Sequence, residues 1–363
     1  MSLKISDPIL EETLERLLAD ACDHEAVQAA EALGWAPEIW AKLAETGAPW
    51  VGVPADGGGS GGTLSDAMVV LRCCGRHAVP LPVAETGVLG GWLLAGAGLP
   101  LPDGAVTVVP GLVKDTLSLA GGRLSGTAHN VPWARAADRI VALVPDGGAL
   151  KVVSVPGLAA ASIVERRNLA GEPREIVTFD AAEVDAAPAP AGVDEATLRL
   201  RGAWARGVLM AGALERIAEM VVQYTLERHQ FGQQIGRFQA VQHLVVAAAQ
   251  EAQLALMAVN VATAAAEERG GDPASVEFEV AALKAQAGES ATVGSAKTHQ
   301  AHGAIGMTQE YALHHFSRRL WSWREEFGAT GVWQRRLGEL VAGAGADQLW
   351  KVIQEGTAAL SPA

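Results

Sequence analysis

Cysteine is scarce in this sequence. Cys22, Cys73 and Cys74 form no CxxC pair and no even framework, which excludes a disulfide scaffold and points to a reducing cytoplasm. Positive charge is short as well: 28 basic residues against 41 acidic ones leave a net charge of −13. Nucleic acid and anionic membrane surfaces are therefore poor partners. An anionic ligand has to be met by local cations, not by the global field. No apolar run reaches the length of a membrane span. Met1 to Asp20 lacks the charged, apolar and small succession of a secretion signal and reads as an amphipathic helix. A soluble, cytoplasmic protein is expected. There is no Gly-x-Gly-x-x-Gly between a strand and a helix and no lysine in a P-loop position, so two common nucleotide fingerprints are missing. His299, His314 and His315 have no carboxylate or cysteine at metal-ligand spacing, so no metal site is expected.

What the chain has is length and apolar mass. Its 363 residues are 49% hydrophobic and 19% charged, enough for two or three domains around a large core. Ile9, Leu10, Leu14, Leu17 and Leu18 recur at helical spacing, and further helices are expected over Pro37 to Glu45, Leu64 to His77 and Ala84 to Gly96. The glycine-rich stretch from Gly47 to Gly62 between them reads as a surface loop. From Pro102 the texture becomes β-rich. Short runs at Ala105–Val109, Leu117–Leu119, Arg139–Val144, Leu150–Val155 and Glu175–Phe179 are divided by turn pairs such as Gly121-Gly122. With no helix between them, these runs predict an antiparallel barrel or sandwich. Ala186 to Gly192 reads as a proline-stiffened linker. Helices resume from Thr197, with long ones over Val241 to Glu268 and Glu277 to Ala296, and a broken one over Leu337 to Ala358. The expected fold is α+β: an N-terminal helical domain (1–101), a middle antiparallel β-barrel or sandwich (102–192) and a C-terminal four-helix bundle (193–363).

Between two of those helices lies a polar break from Arg228 to Gln242, with Gly232 and Gly236 freeing the backbone and Arg228 at its head. A cation at a helix end beside a glycine-permitted turn suits a phosphate; an ordinary loop with a solvated arginine is the competing reading. The order of the motifs decides between them. Arg228-x-x-Phe231-Gly232 followed by Phe238-Gln239, then Gln300-Ala-His-Gly-Ala-Ile-Gly306 and Met307-Thr-Gln-Glu-Tyr311, with Gly52-Val-Pro54 near the start, resembles the acyl-CoA dehydrogenase family over nearly the whole length.

That resemblance implies non-covalent FAD and α,β-dehydrogenation of an acyl-CoA thioester, in lipid degradation. A carboxylate takes the α-proton, the β-hydride goes to the flavin, and an electron-transfer acceptor protein takes the electrons. The α C–H is weakly acidic, so such a site needs donors on the thioester carbonyl and a dry base beside it. By resemblance, Arg228 pairs with the pyrophosphate of a neighbouring subunit's FAD. Phe231 packs near the adenine, with Gly232 beside it, and Gln239 contacts the nucleotide. Gln300, His302, Gly303 and Ala304 line the same nucleotide, although a core or capping role competes for His302.

Two departures qualify the resemblance. Most of the family carries its glutamate seventeen residues after the glutamate of Thr-x-Glu-Tyr; counted from Glu310 that position is Phe327. A minority branch carries it twenty-six residues before the motif arginine, which is Gly202 here. Neither is a carboxylate. Glu326 is the fallback base, although a one-residue offset turns a helical side chain by about 100°, and a solvated Glu325–Glu326 pair is the competing reading. The family's flavin-ring segments are also degraded: Pro102 to Gly126 has no acidic Gly-Ser element, and the Trp-Ile-Thr position reads Asn130-Val-Pro-Trp-Ala134, where Pro132 offers no backbone donor. The arginines 318, 319 and 324 read as a helix face pairing with acids. Trp321, Trp323 and Trp333 read as filler of an interface or of the emptied acyl cavity. The expectation is a base-lacking subunit of a heterotetrameric, two-subunit enzyme, lending FAD contacts to a second acyl-CoA dehydrogenase-like chain. A self-sufficient homo-oligomer with a displaced base and a non-catalytic scaffold are the alternatives.

Overall fold

A computed structural model describes residues 8–360. The first segment holds α1 (Pro8–Ala21), α2 (His24–Leu33) and α3 (Pro37–Glu45), then α4 (Leu64–Arg76). The Asp23 carboxylate caps α2 by accepting from Ala26 N, and Gly34 closes it in the left-handed region. Thr63 and Asp66 form a reciprocal capping box that fixes the start of α4. A π-type helical turn, Ala84–Gly91, runs into α5 (Trp92–Gly96).

The middle segment contains β1 (Val106–Val108), β2 (Ser118–Ala120), β3 (Arg123–Pro132), β4 (Arg139–Asp146), β5 (Ala149–Pro156), β6 (Ser162–Val164), β7 (Arg174–Glu183) and β8 (Asp185–Pro188). They form two four-stranded sheets, ordered β1-β4-β5-β8 and β2-β3-β7-β6. Leu124, Ala128, Val177 and Phe179 of one sheet and Ile140, Ala142, Val144, Val153 and Val155 of the other share one apolar core, so the sandwich expectation holds and, among the described residues, no closed barrel forms. Besides β3 and β6, which the sequence reading lacks, two details differ from it. β1 pairs with β4 in parallel, because the chain visits the other sheet between them. The expected linker begins as strand β8, paired with β5 from Asp185 to Pro188; proline is tolerated there because β8 is an edge strand.

The last segment is built around α6 (Glu195–Glu227), most of whose residues are buried. After it come the small hairpin β9 (His229–Gln230) and β10 (Gln233–Gln234), then α7 (Gln239–Glu268), α8 (Glu277–His302), α9 (Leu313–Glu325), α10 (Thr330–Ala344) and α11 (Leu349–Glu355). α4 crosses α6 at close range: a Cβ on Gly75 would overlap the Leu209 carbonyl, and one on Gly212 the Arg72 carbonyl. Two glycines from opposite sides thus let the backbones touch.

α7 qualifies the expectation about apolar runs by length and composition only. At 30 residues, with an 18-residue stretch of mean hydropathy 1.5, it is long and apolar enough, by length and composition, to cross a membrane. Its inner face, with Ala248, Ala252, Ala255, Val259, Ala262 and Ala266, packs in the bundle. Its outer face leaves Val246, Leu254, Met257 and Val261 exposed.

Candidate active-site region and cofactor-contact surface

The two positions at which the resemblance expects a base meet in space. Gly202 lies on α6 and Phe327 follows α9, and the Phe327 ring lies so close over Gly202 that any Cβ there would overlap it. The ring is aimed by backbone in the left-handed region (φ 53°), which costs an aromatic residue about 1 kcal/mol. That turn is held from both sides. Trp333 Nε1 donates to Phe327 O at 3.1 Å. The buried Lys284 ammonium donates to the carbonyls of Trp323, Arg324 and Gly328 at 3.1, 2.7 and 3.0 Å, satisfying the end of α9.

Around the ring stands an alternating chain of charges. The Arg206 guanidinium sits 5.5 Å from the centroid of the Phe327 ring and bonds Glu85 and, at 2.6 Å, Glu326. Glu326 accepts from Arg174 at 2.8 and 3.1 Å. Arg174 in turn pairs with Glu172 at 3.0 Å, and Arg319 bridges Glu172 and Glu31 at 3.3 and 2.8 Å. Such a chain is tolerated in the interior only because every charge has an opposite neighbour. Burial by itself would raise the Glu326 carboxyl, but the charges of Arg174 and Arg206 hold it down at about 2. The expectation of a solvated Glu325–Glu326 pair is thereby corrected: Glu325 is exposed and Glu326 is locked between two arginines.

The place in the β segment where the resemblance expects the flavin ring is filled too. Pairing between β3 and β7 slips between Ala128 and Val131. Past that irregularity Trp133 turns into the interior with φ 44°, 3% exposed, and its ring stacks 4.9 Å from the Arg174 guanidinium. Between Trp133, Arg174, Glu85, Arg206 and Trp323 remains a cavity of about 10 Å³, at most the room of one water. No acyl chain or flavin ring fits there.

At the other end of α6 the surface is open. Phe231 and Gly232, both at positive φ (54° and 81°), form the two-residue turn of the β9–β10 hairpin. Phe231 is 91% exposed, with Phe238 edge-on at 6.1 Å. Arg228, Arg237 and Gln239 are exposed beside it, and among the described residues no carboxylate pairs with either arginine. The second expected segment converges on the same end: the His302 ring at the close of α8 stacks on Tyr224 of α6 at 4.5 Å. Gln300, Gly303 and Ala304 are exposed, whereas His302 is buried. Its Nδ1 lies 2.8 Å from Thr298 O and its Nε2 3.3 Å from the Tyr311 hydroxyl, and burial lowers its pKa. Its ring therefore ties the two helix ends together.

An α+β fold with helices at both ends, two central sheets and a long-helix bundle is the class these elements define. The family model for the acyl-CoA dehydrogenase C-terminal domain matches residues 198–340. The chain belongs to the acyl-CoA dehydrogenase family. It is 29% identical over 315 residues to acyl-CoA dehydrogenase IpdE2 of Mycobacterium tuberculosis, covering 86% of this chain and 89% of that protein. Its fold is similar to the ChsE4-ChsE5 complex from Mycobacterium tuberculosis, with a TM-score of 0.84 at 20% identity over 94% of this chain and 99% of that one. It is also similar to a variant of the Tcur3481-Tcur3483 steroid ACAD, with a TM-score of 0.80 at 23% identity over 93% and 98%.

Sequence reasoning missed Arg206, Glu85, Arg174, Glu172 and Lys284. The signal available for them was charge inside otherwise apolar or alanine-rich segments.

Proposed function

We propose that this chain is the base-lacking subunit of a two-subunit acyl-CoA dehydrogenase and that it lends nucleotide contacts to FAD held by its partner. The observation that carries the reading is the Phe327 ring seated on Gly202, which leaves both base positions of the family without a carboxylate. Glu326 does not replace it, because a carboxylate held near 2 by two arginines is a poor proton acceptor from an α C–H. FAD, when bound, supplies the hydride acceptor. The residues of this chain fit its nucleotide half and not its ring: Trp133 and the Arg206–Glu326 chain occupy the ring side, while two exposed arginines and an exposed, strained phenylalanine wait at the other end.

Arg228 there pairs with the pyrophosphate, Phe231 lies against the adenine, and Gln239 and Gln300 reach the nucleotide. Gly232, Gly303 and Ala304 allow close approach of backbone, and His302 holds the segment in place. The outer stripe of α7 (Val246, Leu254, Met257 and Val261) is the surface expected to meet a second acyl-CoA dehydrogenase-like chain. Reaction on an acyl-CoA and delivery of electrons to an acceptor protein belong to the assembled enzyme, in the cytoplasm. A steroid-like acyl group accords with the similarity to a steroid enzyme.

Purification decides it. The chain expressed alone should be colourless, and co-expression with a family member that carries an intact base and Trp-Ile-Thr segment should give a yellow complex. Tightly bound stoichiometric FAD with acyl-CoA turnover in the lone chain would sink the proposal.

A further inference from the structure

Away from the flavin-facing end, α2 meets α9 through histidines. His24 opens α2, and His314 and His315 stand in the first turn of α9. His24 Nδ1 lies 3.0 Å from His315 Nε2, and the His314 and His315 ring centroids are 4.1 Å apart. One nitrogen from each of the three rings lies within 4.8 Å of the others. We propose that His24, His314 and His315 form a site for a divalent transition-metal ion of zinc-like preference, tying the first helical segment to the bundle. Sequence spacing missed it because His24 is separated from His315 by 291 positions and is brought over by the α2–α9 packing.

Imidazole nitrogen suits zinc and its neighbours in the series. Two imidazoles on tetrahedral zinc at roughly 2.0–2.1 Å hold their nitrogens roughly 3.3 Å apart, so the 3.0 Å pair at His24 and His315 has to part by only a few tenths of an ångström. Glu31 supplies the outer shell: its carboxylate lies 2.9 Å from His315 Nδ1, which places the proton on Nδ1 and leaves the Nε2 lone pair for the metal. Ligation needs the neutral imidazole, and His314 and His315 are both shifted towards it. Burial is the main cause for both His314, pushed down to about 4, and His315, which is also lowered.

The nearby cations do not forbid a metal. Arg318 and Arg319 bond Glu31 at 2.5 and 2.8 Å, and Arg319 also faces Glu172. His314 has to exchange a contact, since Arg318 Nη2 stands 3.0 Å from its Nδ1 and Gln309 O 3.3 Å from its Nε2. Three protein ligands leave a fourth position. His24 and His315 line a cavity of about 460 Å³ together with Cys22, Asp23 and His77, ample room for a water on the metal.

The test is titration of the untagged full chain, stripped with EDTA, with Co²⁺. One equivalent should bind with the intense visible absorption of tetrahedral cobalt, and Zn²⁺ should displace it and raise the melting temperature. His24→Gln and His314→Gln, checked for folding by circular dichroism, should each weaken binding by at least about 10-fold, while His243→Gln on the exposed side of α7 should not. Failure of the unaltered chain to bind one equivalent overturns the site, as does unchanged affinity in both folded ligand variants.

Discussion

Replacing Glu326 by Gln separates a structural glutamate from a catalytic one. Glu326 falls from an ordinary value of 4.5 to about 2 in the fold. At about 1.4 kcal/mol per unit that makes its ionised form worth about 3 kcal/mol to folding. Because the folded value is the depressed one, this contribution is fully present above about pH 4.5 and fades as the pH falls towards 2. The amide keeps the shape but leaves Arg174 and Arg206 each short of one negative partner, and breaking a buried pair in this way costs about 3–5 kcal/mol. For a chain of this size a loss of 3 kcal/mol lowers the melting temperature by roughly 4 °C. The assay is thermal unfolding from pH 7 down to 3, set beside turnover of the assembled complex. The expected result is a clear loss of stability at pH 7, a shrinking difference in acid, and kcat within about 2-fold of the unaltered complex. A stable variant whose kcat drops by a factor on the order of 10²–10⁴ would refute the reasoning, because Glu326 would then be the base.

Gly202→Ala places a methyl group in the Phe327 ring and should lower stability by about 1–3 kcal/mol, read by urea unfolding, with Phe327→Leu recovering part of the loss. Met257→Asp introduces a charge into the exposed apolar stripe of α7; the isolated chain should keep its circular dichroism, while co-elution with the partner on size exclusion should be lost.

Long periodic elements were legible in the sequence, and elements fixed by distant contacts were not. α3 begins and ends where proline and periodicity place it, and α7 and α8 were foreseen to within a few residues at their starts. β3 was missed because Gly126, His129 and Asn130 break its alternation, and it is held by ten-residue β7 beside it instead of by its own propensity. The parallel β1–β4 pair carries no local mark at all. In the site, the loss of a carboxylate at Gly202 and Phe327 was countable along the chain, whereas their contact was not. The partners of Glu326 were equally hidden. Arg174 and Arg206 lie 152 and 120 positions away, and nothing in spacing tells a solvated glutamate from one locked between two cations.

Flavin content of the co-expressed complex, with Arg228→Gln in this chain alone, tests the central claim most directly. Loss of one charge-assisted contact to a pyrophosphate is worth about 1.5–3 kcal/mol. FAD retention through dialysis should therefore weaken on the order of 10-fold or more while assembly on size exclusion stays intact. Unchanged flavin content and affinity in that complex would contradict the account, since Arg228 would then hold nothing that belongs to the partner.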